Sequence, residues 1–193
     1  MNATQLIEIL TANKFMRSDE EAMNFDLALA ELALHPNREY LPALYLVLDD
    51  QCEQHEVMYG LIHFLESFEL KDQLQAFIDA LDRMIVNAKE WTMILLYGIL
   101  NQDLTRNLYS EMLHSIHSQN RDLCNTLLQE IAANESPPLS SRAESIISGA
   151  TAININMDEI PRDISSFLKY IQEGNILVLL QNDQPIAEIK PIK

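Results

Sequence analysis

Glycine is scarce in this chain, four residues in 193. Phosphate-cradling loops and nucleophile elbows need glycine where the backbone must approach a ligand or take a positive φ. Nucleotide-binding α/β folds are therefore disfavoured. Cysteine is equally sparse: Cys52 and Cys124 have no second cysteine nearby, and Cys52 with His55 makes only one pair of possible ligands, so neither a disulfide framework nor a zinc site is supported and a reduced compartment fits. No stretch approaches the eighteen or more apolar residues of a membrane span, and the opening MNATQLIEIL lacks a basic, signal-like start. The expectation is a cytoplasmic protein with no membrane partner.

Basic residues are the other shortage. Thirteen Lys and Arg face 29 Asp and Glu, a formal net charge of −16. The imbalance is uneven: residues 1–135 hold 22 acidic and 8 basic side chains, residues 136–193 only 7 and 5. An acidic surface repels nucleic acid and anionic lipid, keeps a protein soluble and speeds encounter with a basic partner. With 48% hydrophobic and 22% charged residues, most of the chain has the composition of a folded globular protein.

From Glu20 to about Ala133, apolar residues recur at helical spacing, as in Leu74, Phe77, Ile78, Leu81 and Ile85. Breaks fall near His35-Pro36-Asn37, Asp49-Asp50, Phe68 to Lys71, Asn87, Asn101 to Asp103 and Ser118 to Asn120. They divide the region into helices of about twelve to seventeen residues. Trp91 to Leu100 is apolar nearly all round, as in a helix covered on both sides. The fold class expected is mainly α: a HEAT-like helical-hairpin array over 1–135, a Pro- and Ser-rich linker over 136–151, and a small α+β module over 152–193. In that module Ile153 and Ile155 alternate, Asp158 to Ile171 has helical spacing, and Ile176 to Leu180 and Pro185 to Ile192 read as strands. The order is β-α-β-β.

The segment INMDEIPRDISSFLKYIQEGNILVLLQNDQPIAEIKPI resembles the Phd/YefM antitoxin fold. Its Arg162 sits near the helix start, Leu168 is expected to face inward, and Glu173-Gly174 ends the helix. The resemblance implies a dimer that presents basic side chains, Arg162 among them, to operator DNA. Residues 152–193 nevertheless hold six acidic and four basic groups, and this charge disfavours DNA. A homodimer through 152–193 is the alternative use of such a module.

In the front part, Leu44-Tyr-Leu-Val-Leu-Asp-Asp50 precedes Glu56-Val-Met-Tyr-Gly-Leu-Ile-His-Phe-Leu-Glu-Ser-Phe68. This run resembles the all-helical immunity protein 30 family of bacterial polymorphic-toxin systems, and the resemblance implies neutralisation of a cognate toxin. At 100° per residue, Val57, Leu61, Phe64, Leu65 and Phe68 gather on one side of the helix. Glu56, Tyr59, Gly60, His63, Glu66 and Ser67 gather on the other. A glycine in mid-helix disfavours the helix by about 1 kcal/mol relative to alanine, so Gly60 marks close approach of a neighbouring helix or a partner. The candidate partner-binding residues are Glu56, Tyr59, His63 and Glu66 on that face and Asp49, Asp50 and Glu53 at the preceding turn, where carboxylates suit Arg or Lys on a basic protein toxin. Capping of a helix N-terminus by Asp49 or Asp50 is the structural reading, and it does not exclude a partner contact.

Catalytic constellations are missing. Glu111-x-x-His114 has di-iron spacing but no second copy, and Cys52 with His55 is too little for a nucleophile. No enzyme activity, cofactor or metal is expected. The expected function is that of an immunity or antitoxin protein acting by direct binding. The alternatives are a DNA-binding autoregulator of the Phd/YefM type and a helical scaffold.

Overall fold

The computed structural model describes residues 2–115, 119–149, 152–156, 165–172, 176–182 and 184–190. The described part is mainly α and ends in an antiparallel hairpin, and the chain divides into two compact units, Met1–Leu96 and Tyr97–Lys193. Arg162 lies outside the described residues.

The first unit opens with helix α1 (Ala3–Asn13), which lies within the helical array expected over 1–135 but ahead of the periodic pattern read from Glu20. Its start is a capping box: the Asn2 side chain accepts from the Gln5 N–H at 2.9 Å, and the Gln5 side chain accepts from the Asn2 N–H at 3.1 Å. Helix α2 (Asp19–Ala33) is capped by Ser18 and carries Asp19, Glu20 and Glu21 in its first turn, where carboxylates complement the helix dipole. A 3-10 turn (Arg38–Tyr40) leads into α3 (Leu41–Tyr45), followed by α4 (His55–Glu66), α5 (Leu70–Met84) and α6 (Lys89–Asn101). The boundary between the units falls within α6.

Helix α2 packs on α1 and α4, and α3 packs on α4 and α5. Leu10, Phe25, Leu44, Leu61 and Phe77 are buried between them. The helix breaks read at His35 to Asn37, Asp49-Asp50 and Asn87 lie between helices, while the break read at Phe68 to Lys71 overlaps the first two residues of α5. One length differs: α3 is a single turn rather than a helix of twelve residues. The apolar run Leu44 to Leu48 is satisfied by burial, with Leu44, Val47 and Leu48 in the core, so its backbone need not be helical throughout.

The second unit contains α7 (Asp103–Ser115), α8 (Gln119–Asn134), α9 (Leu139–Ser148), β1 (Ala152–Asn156), α10 (Ser165–Gln172), β2 (Ile176–Gln181) and β3 (Gln184–Ile189). Strand β2 is central, parallel to β1 and antiparallel to β3. Its side chains alternate: Ile176 and Val178 pack with Leu180, while Leu177 clusters with Ile171 and Phe167 of α10. Leu168, expected to face inward, is 49% exposed. The inward pair is Phe167 and Ile171, spaced i, i+4, and Leu168 lies one step round the helix from them.

Residues 139–148, read as part of a linker, form α9, which packs on α7, α8 and β1. Proline is compatible with a helix start, and Pro138 is the N-cap of α9. Gly149, at φ 71, closes the helix in the left-handed conformation. Ser140, Ser141, Arg142 and Ser145 are buried; a serine-rich stretch signals a linker only while its side chains stay in water. The Arg142 guanidinium donates to the Asn101 side chain at 2.7 Å, and Arg106 donates to the Leu100 carbonyl at 2.9 Å. Two buried cations thus hold the C-terminal end of α6, where the helix dipole favours positive charge.

Candidate functional site

The α4 helix is amphipathic as its spacing implies. Met58, Leu61, Ile62, Phe64 and Leu65 are buried, and Glu56, Tyr59, His63, Glu66 and Ser67 are exposed. Gly60 faces α2: a Cβ built there would meet Leu29 Cδ2 at 3.5 Å, ordinary van der Waals contact. The glycine therefore borders a neighbouring helix, with room for a methyl group.

Tyr59 is 40% exposed and has a fixed seat. Its ring stands edge-on to the buried Trp91 of α6 at 5.2 Å, with the His63 ring 6.5 Å away. His55 abuts the same indole at 5.4 Å. One edge of Tyr59 is thus anchored while part of the side chain faces solvent, an arrangement that limits the side-chain entropy lost on forming a contact. Beside it, Glu53, Gln54, His55, Glu56 and Val57 line a groove of about 370 Å³.

The two aspartates of the preceding turn are occupied differently. Asp49 is buried: one carboxylate oxygen pairs with Lys14 at 2.8 Å and the other accepts from the Gln51 N–H at 3.0 Å, while its carbonyl accepts from the Trp91 indole N–H at 3.1 Å. Asp50 is half-buried, and its carboxylate accepts from the N–H groups of Glu90 at 3.0 Å and Trp91 at 3.3 Å. Those are the second and third residues of α6, so Asp50 does for α6 what a local N-cap side chain would do. The residue before α6 is Ala88, which has no group to offer. The Asp50 N–H donates to the Asn87 carbonyl at 2.8 Å, and the Glu53 N–H to that of Phe15 at 2.9 Å. The turn is therefore tied to the end of α1 and to the start of α6.

Among the seven front-domain residues singled out, five are exposed: Glu53, Glu56, Tyr59, His63 and Glu66. The Asp49 carboxylate is engaged by Lys14 and Gln51, and Asp50 caps α6 rather than the adjacent α4. Lys14 and Trp91, which hold this turn and the Tyr59 ring, were not among the expected residues. The readable signal was the uncapped start of α6. Glu111 is exposed, and the side chain of His114 lies outside the described residues. Among the described residues, no group of three His, Cys, Asp or Glu side chains is placed to hold a metal ion, and no helix is long and apolar enough to cross a membrane.

These features define a helical protein with an acidic, partly aromatic face. The immunity protein 30 family model matches residues 12–109, just over half of the chain. The chain belongs to the immunity protein 30 family, and membership implies a cognate toxin as partner and neutralisation as the function. The match includes all of α4 and ends before residues 152–193, so it lends no support to the Phd/YefM resemblance of that segment. No curated protein and no solved structure matches the chain significantly.

Proposed function

We propose that the protein neutralises a basic toxin by direct binding, without chemistry of its own, through the exposed face of α4. Glu56, Tyr59, His63 and Glu66 form the centre of the contact, and Glu53 lies at its edge. The observation that carries this reading is the Tyr59 ring, half exposed and held on Trp91 within an acidic surface inside the family-matched region. Anchored aromatic residues are frequent sources of interface energy, and peripheral carboxylates act mainly on encounter rate. Asp49 and Asp50 contribute indirectly by fixing the turn that leads into α4. Packing of α1 on α2 and of α3 on α4 and α5 supports a HEAT-like stack as the scaffold, and the cytoplasm is where such a protein would meet its toxin. The test is co-expression with the product of the adjacent gene: the wild-type chain should restore growth and co-purify with that product. Growth arrest despite full expression of the chain would refute the proposal.

A second use concerns the end of the chain. Ile186 and Ile189 of β3 are 51% and 40% exposed, and β3 is an edge strand. Exposed edges of this kind favour pairing with another copy, which supports self-association through 152–193 in the β-α-β-β arrangement. The acidic balance of that segment speaks against operator DNA as its partner.

A further inference from the structure

Helix α2 buries Ala22, Phe25, Ala28, Leu29 and Leu32. Its opposite side is not polar. Met23, Leu27 and Leu34 are 58%, 62% and 67% exposed, and Ala30 between them is exposed as well. The spacing 23, 27, 30, 34 is the alternating four-three step of a coiled-coil seam. Leu34 keeps helical φ and ψ as the C-cap, so the apolar stripe runs for about 16 Å at 1.5 Å per residue. Single exposed apolar residues need no explanation, but four in register on one helix face form a patch of the kind that marks an interface.

The margins of the stripe identify the partner. At 100° per residue, Asp19 and Asp26 lie along one side and Glu20 and Glu31 along the other, all exposed. Helix α2 contains no Lys or Arg. A second α2 laid against the stripe, in either direction, would set carboxylates beside carboxylates. Anionic lipid would meet the same repulsion. We infer that the α2 stripe docks an amphipathic helix of another protein, with an apolar seam flanked on both sides by Lys or Arg. Apolar burial supplies affinity along the seam, and the flanking ion pairs set specificity against acidic helices and against this chain itself. This surface is separate from the α4 face and does not depend on it.

The test uses the full chain and two synthetic 21-residue heptad peptides with Leu at the seam positions, one flanked by Lys and one by Glu. The Lys-flanked peptide should bind, more weakly as salt rises, and the Glu-flanked peptide at least tenfold less tightly. Leu27→Glu combined with Leu34→Glu should weaken the Lys-flanked peptide at least tenfold, whereas Glu56→Ala with His63→Ala should change it less than twofold. Melting temperature should hold in both variants, and Leu27→Gln offers a milder disruption of the seam with the same direction of effect. Equal binding of the two peptides, undiminished binding to the double variant, or a melting temperature lowered in both Leu27 variants would overturn the inference. So would wild-type self-association that the double variant abolishes, because a second copy would then be the occupant.

Discussion

Asp50 shows how one side chain can serve a helix forty residues away. Its carboxylate satisfies two N–H groups at the start of α6, and removal of a capping side chain destabilises by about 1 to 2 kcal/mol. Asp50→Ala should lower the chemical denaturation midpoint accordingly, while Glu53→Ala, at an exposed position, should leave it almost unchanged. Lys14→Ala should be worse, at about 3 kcal/mol, because it leaves the buried Asp49 carboxylate without its counter-ion. Gly60→Ala should act in the opposite direction: the added methyl finds ordinary contact with Leu29, and the helix gains about 0.5 to 1 kcal/mol. Exposure of Glu56, Tyr59, His63 and Glu66 was legible in the sequence because it follows from helix periodicity alone. The roles of Asp49 and Asp50 were not, since their partners Lys14, Glu90 and Trp91 are brought to them only by folding.

At the scale of elements, local signals carried well and tertiary ones poorly. The core stripe of α5 was readable because Leu74, Phe77, Ile78 and Leu81 repeat at helical spacing and are buried. Helix α9 was hidden by its serines, which become core residues only against α7 and α8. In α8, burial pushes the Cys124 thiol up to about 11, partly opposed by the neighbouring Tyr109 of α7. The unfolded chain sheds the thiol proton near 9, its ordinary value, while the folded chain keeps it up to about 11. This stabilisation is present below pH 9 and declines as pH rises through that window, so the denaturation midpoint should fall between pH 9 and 11 in the wild type. In Cys124→Ala, compared with its own midpoint at pH 8, the fall should be smaller. An equal fall in both proteins would assign it to other groups.

For the whole molecule, family membership implies a cognate toxin as partner, and the net charge of −16 suits the proposed basic toxin. The exposed face of α4 is the proposed contact surface. The most direct measurement is the affinity of the purified full-length chain for the product of the adjacent gene, wild type against Tyr59→Ala, with thermal melts of both proteins alongside. We predict that Tyr59→Ala weakens binding by about 2 kcal/mol, roughly thirtyfold, through faster dissociation, with less than half that loss in folding stability. Unchanged affinity, or a loss of affinity matched by the loss of stability, would contradict the account.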